Sequence, residues 1–133
     1  MNIATLNMNG FTSTTDHMSG MEKWGAINHT LNKHKIAISA LQETHLDREH
    51  VQRILSCFGK KMDVLKSEHE PNPHWFAGVA FIINKMLISQ ETYEATMPIQ
   101  GRAIALKVKW HEVEETTIIN VYAPNNRANH PDF

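Results

Sequence analysis

Ile3 to Met8 is an apolar-leaning run with β-branched residues, closed by Asn9-Gly10, and it predicts a strand ending in a tight loop. Phe11 to Gly20 is polar, and Ser19-Gly20-Met21-Glu22 has the spacing of a capping box. Met21, Trp24, Ile27 and Leu31 then recur at three and four residues, so one apolar face predicts a helix to about His34. Ile36 to Leu41 is a continuous apolar run of strand length, as a strand covered on both faces requires. Asp47 suits the N-cap of a second helix whose Val51, Ile54, Leu55 and Phe58 repeat the helical spacing, with Gly59 at its end. Beyond Met62 to Lys66 and a loop at Pro71-Asn72-Pro73, Gly78 to Ile83 reads as a buried strand bounded by Asn84-Lys85. Ile104, Leu106, Val108 and Trp110 alternate with Ala105, Lys107 and Lys109, the pattern of a half-exposed strand. Thr116 to Tyr122 is expected beside it, antiparallel, across the acidic turn His111 to Glu115. The predicted architecture is α/β with a largely antiparallel later half.

Composition narrows the class without changing that picture. At 133 residues the chain is one domain or part of one, on the scale of roughly 100 to 200 residues per domain. With 41% hydrophobic and 20% charged residues it can build a core. A formal charge of -1 excludes a global positive field, so any nucleic-acid contact must be local. The single cysteine, Cys57, has no intramolecular disulfide partner and is expected as a small buried hydrophobe. The first residues lack a basic leader and no stretch reaches the length of a membrane span, so an intracellular soluble protein with no membrane partner is expected. Neither His29/His34 nor His45/His50 has the i, i+4 spacing of paired helical ligands, which leaves a zinc site unsupported.

Three segments place polar residues at the end of an apolar strand, where sites assemble in layered α/β folds. They are Leu6-Asn7-Met8-Asn9-Gly10, Leu41-Gln42-Glu43-Thr44-His45 and Asn120-Val121-Tyr122-Ala123-Pro124-Asn125. Singly, each has a plain explanation: Asn9-Gly10 as a turn, Glu43 as a solvated strand exit, Tyr122 as a packed ring with its hydroxyl satisfied. Their ordered combination is not accounted for by those explanations.

The ordered set resembles the endonuclease/exonuclease/phosphatase family, and most closely the endonuclease domains of non-LTR retrotransposons. Asn7-Met8-Asn9-Gly10, Gln42-Glu43-Thr44-His45, Ala77-Gly78-Val79-Ala80 and Asn120-Val121-Tyr122-Ala123-Pro124-Asn125 carry the resemblance, which spans nearly the whole chain. It implies a layered α/β sandwich of mixed sheets with flanking helices, and hydrolysis of phosphodiesters with DNA as the family substrate. Such chemistry needs charge stabilised on a phosphoryl group and a positioned water. Glu43 is the candidate ligand for Mg²⁺, with Mn²⁺ as a substitute, since Mg²⁺ is bound through one or two carboxylates with water and phosphate completing the shell. The amides of Asn7 and Asn9 can orient that carboxylate or donate to the phosphate. Tyr122 and Asn125 are placed to do the same, the role the family gives its matching Tyr and Asn. The resemblance thus implies Asn7, Glu43 and Tyr122 as catalytic, Asn9 and Asn125 as substrate-binding, and Glu43 with Asn9 at the metal. Asn9 stands where many family members have Asp, a choice shared by retrotransposon members.

The family pattern continues through a Gly-Asp-x-Asn strand end to a Ser-Asp-His element, and neither occurs in the sequence. Residues 1–133 are therefore expected to be the amino-terminal part of one such domain, inactive alone for want of a general base, whose loss costs about 10² to 10⁴-fold. Exposed sheet edges around Phe81 and Val121 are expected to favour self-association. Two other readings stay open: a phosphoesterase of the same family acting on small-molecule or lipid phosphates, and a non-catalytic module binding nucleic acid or protein. A retrotransposon-like origin would imply action in the nucleus.

Overall fold

The computed structural model describes residues 1–8, 17–67 and 78–123, with the side chains of 17–20 excepted. In chain order they form β1 (Asn2–Asn7), α1 (His17–Lys33), β2 (Ile36–Gln42), α2 (Arg48–Phe58), β3 (Met62–Ser67), β4 (Val79–Asn84), a 3₁₀ turn (Gln90–Thr92), β5 (Tyr93–Ile99), β6 (Ala103–Trp110) and β7 (Glu114–Val121). The first four strands make one sheet in the order β1-β2-β4-β3, and the last three make a second in the order β5-β6-β7. β1 and β2 are parallel, joined by α1 as a crossover, and every other pairing is antiparallel.

Alternation along the central strands builds two cores. Leu41, Ala80 and Ile82 face the helices and pack with Trp24, Leu31 and Ile54. Ile38, Ala40, Val79, Phe81 and Ile83 face the second sheet and pack with Ile104, Leu106 and Val108. The layers are therefore helices, sheet, sheet. Trp24 is fully buried in the helical layer, and its indole N–H meets no acceptor among the described residues. No described helix is long and apolar enough to cross a membrane.

Several sequence expectations are revised by the packing. α1 begins at His17, so Ser19 lies within its first turn and is not the N-cap. Cys57 is exposed, because Ile54, Val51, Leu55 and Phe58 carry the buried stripe of α2 and Cys57 falls to its flank. Phe81 is fully buried, since β4 lies between β2 and β3 under the second sheet, and so it is no exposed liability. Val121, on an edge strand, is 47% exposed. β7 begins at Glu114, inside the stretch expected as a turn. The 3₁₀ turn and β5 are not predicted by the hydrophobic pattern. The loop at Pro71-Asn72-Pro73 lies outside the described residues.

Polar ties join the sheets at both ends. The Tyr93 hydroxyl donates to Asp63 Oδ2 at 2.7 Å, and the Gly101 amide donates to Ser67 Oγ at 2.9 Å. A third tie, from Asn120, lies directly below the candidate site.

Candidate active site at the strand ends

β1 and β2 run in the same direction and in register, Asn7 opposite Gln42, so both deliver their carboxyl ends to one edge of the first sheet. The Met8 amide extends this pairing, donating to the Gln42 carbonyl at 2.8 Å, and Lys23 Nζ on α1 donates to the Met8 carbonyl. From the second sheet, the Tyr122 amide donates to Arg102 O at 2.9 Å, one residue past β7. The Tyr122 phenol stands close enough to the Glu43 carboxylate to interact with it. Burial first, and then the negative charge and acceptor oxygens of Glu43, hold the Tyr122 phenol above its ordinary range, because each disfavours the phenolate.

Glu43 sits on an unusual backbone. Its φ is 51° and that of His45 is 48°, both in the left-handed region that costs a side chain-bearing residue about 1–2 kcal/mol. Between them Thr44 is buried, and its amide donates to Gly78 O at 3.3 Å. Gly78 is required there twice over: its φ is 63°, and a Cβ would stand 2.9 Å from Thr44 Oγ1. The exit of β2 is thus held against the entry to β4, with Glu43 at the point where the strand leaves the ladder. Backbone of this kind persists where surrounding packing over-determines it, commonly at functional sites.

Of the residues expected at the site, the fold gathers Asn7, Glu43 and Tyr122 at neighbouring strand ends; Asn9 and Asn125 lie outside the described residues. Asn7 is exposed, while Glu43 and Tyr122 are half-buried. Among the described residues no three His, Cys, Asp or Glu side chains come together in a metal-holding group. Among the described residues the site offers one carboxylate, the kind of ligand through which Mg²⁺ is held while keeping much of its water.

Gln42 and Asn120 went unassigned in the sequence although both stand in the motifs quoted for it. Their signal was a polar residue inside an otherwise apolar strand. A groove of about 450 Å³ opens beside the site, lined by Ile3, Thr5, Gln42, Ile119, Asn120 and Val121 among others. A larger cavity, about 730 Å³, lies at the opposite end of the first sheet, beside Lys61, Asp63 and Lys85, and shares no residue with the site.

The order of helices and sheets, with strand ends meeting across two layers, matches known structures. The AP endonuclease LMAP from Leishmania major superposes with a TM-score of 0.62 at 12% identity, over 89% of this chain and 38% of that one. The fold is that of the endonuclease/exonuclease/phosphatase proteins. The catalytic domain of Xenopus laevis APE2 gives a TM-score of 0.60 at 19% identity, covering 99% of this chain and 48% of that one. TDP2 from Caenorhabditis elegans gives 0.53 at 16% identity, covering 85% and 33%. The chain thus spans less than half the length of each of these proteins. No protein-family model matches it, and no curated protein matches it by sequence.

Proposed function

We propose that this chain carries the metal-facing part of a phosphodiester hydrolase site of the endonuclease type, with DNA as the substrate. The observation that carries the reading is the meeting of Tyr122 with Glu43. It brings a carboxylate at the end of a first-sheet strand and a phenol at the end of a second-sheet strand close enough to interact, in a fold shared with an AP endonuclease. Glu43, together with Asn9, would hold Mg²⁺ or Mn²⁺, which when bound neutralises charge on phosphoryl oxygens. Tyr122 orients the Glu43 carboxylate and keeps its own proton, because its phenol is held above the ordinary range. The Asn7 amide, exposed at the neighbouring strand end, can donate to a phosphate oxygen without adding negative charge. Asn125 is proposed to contact the substrate. Asn9 in place of Asp supports a kinship with retrotransposon endonucleases, and with it action in the nucleus.

The 133 residues contain no Gly-Asp-x-Asn and no Ser-Asp-His element to activate water. We therefore expect the chain alone to bind metal and to cleave poorly. Calorimetric titration with Mn²⁺ should show binding that Glu43→Ala abolishes; no binding by folded wild-type protein would refute the metal role of Glu43. In parallel, plasmid nicking with Mg²⁺ should be absent. Nicking that disappears with EDTA and with Glu43→Ala would overturn the expected inactivity while upholding the site.

A further inference from the structure

Directly beneath the site lies a layer of uncharged polar side chains that spans three strands. Asn120 is only 3% exposed, in a strand whose inward neighbour Ile118 packs into the core between the sheets. Its Nδ2 donates to the Leu41 carbonyl at 2.8 Å and to the Ala80 carbonyl at 2.9 Å, two residues that face each other across one rung of the β2–β4 ladder. Two carbonyl acceptors fix which end of the amide carries nitrogen. Asn120 Oδ1 is then left to accept, and it does so from Gln42 Nε2 at 2.7 Å. Gln42 Nε2 also lies 3.1 Å from Thr5 Oγ1 on β1.

On two of its three strands this layer lies one same-face step before the site. Two residues along a strand is the next position on the same face. Thr5 therefore precedes Asn7, and Asn120 precedes Tyr122, by one step on a shared face, while Gln42 immediately precedes Glu43. Apolar contacts between sheets are non-directional and tolerate sliding. A carboxamide with three partners on two strands of the opposite sheet does not.

We propose that Asn120 is a positioning residue: its buried carboxamide, bonded to Leu41, Ala80 and Gln42, locks β7 against β2 in the one registration that brings Tyr122 onto Glu43. In its metal readout the proposal rests on Glu43 being the metal ligand; in its structural readout it does not.

Asn120→Leu keeps the volume near that of the native side chain and removes all three bonds. Two measurements at fixed pH decide its effect. The first is the ¹³C–¹H ring signal of Tyr122, with Tyr93, the other tyrosine, as internal reference and Glu43→Ala defining the signal of a released Tyr122. The expected result is that Tyr122 moves to the released position while Tyr93 stays. The second is Mn²⁺ affinity, expected to fall about 10-fold or more, as when a partner that orients a metal ligand is lost. An unchanged Tyr122 signal in folded Asn120→Leu overturns the proposal, as does equal movement of Tyr93 and Tyr122, which would mark a general loss of packing. If that variant does not fold, Asn120→Ala, which removes the same three bonds and leaves room for water to satisfy the two carbonyls, takes its place under the same criteria. If wild type binds no Mn²⁺, the metal reading fails and the Tyr122 signal still decides the positioning role.

Discussion

Glu43 holds its left-handed backbone because Thr44 and Gly78 leave it no alternative, and the energy stored there is borrowed from that contact. Gly78→Ala should accordingly destabilise the fold by about 1–3 kcal/mol, combining the positive φ with the 2.9 Å clash, and thermal unfolding would register it. An unchanged melting temperature would mean that the β2 exit is looser than its hydrogen bonds imply. The two tyrosines give a pH prediction. Both phenols are raised, each by burial and then by a neighbouring carboxylate, Asp63 for Tyr93 and Glu43 for Tyr122. Raised folded-state values mean that the native state holds these protons longer than the unfolded chain does. Their contribution is complete below the ordinary tyrosine value of about 10 and is lost as pH rises beyond it. Denaturant midpoints should fall above that pH, and less steeply in Tyr93→Phe. Glu43 and Tyr122 were legible in the sequence because polar residues closing apolar runs are conspicuous. Asn120 had no legible role, since its partner Leu41 is 79 residues away.

Among the elements, α2 was read almost to the residue, because its boundary is set by local chemistry. Asp47 Oδ1 accepts from the His50 amide at 2.8 Å and the Asp47 amide donates to His50 Nδ1 at 3.4 Å, a capping box closed by histidine. Asp47→Ala should cost about 1 kcal/mol in urea denaturation, within the usual 0.5–2 for a lost cap; a null effect would show that burial of Ile54 alone sets the helix start. β5 escaped notice for an equally local reason. Tyr93, Ala95, Met97 and Ile99 do alternate, but Pro98 interrupts the run, and the register shifts between Thr96 and Ile99. Proline is tolerated there because β5 is an edge strand among the described ones.

At the scale of the molecule, β1 and β7 are both edges among the described strands, and Ile3 and Val121 are each 47% exposed and Ile119 63% exposed beside the groove they share. Edges of this kind recruit further strands. Sedimentation equilibrium should therefore show a mass that rises with protein concentration, and Ile119→Lys should lower it toward the monomer; a wild-type monomer throughout the micromolar range would contradict this. The layered α/β arrangement was legible from apolar periodicity, whereas the pairing of sheets, which depends on contacts far apart in sequence, was not. That distance also governs time. Asn120 reaches Leu41 across 79 residues and Ala80 across 40, so these bonds form only after long loops have closed. During refolding, the first sheet and its helices could assemble while Tyr122 is still far from Glu43. Acquisition of the site would then lag behind secondary structure, and its appearance would mark the moment at which the second sheet docks.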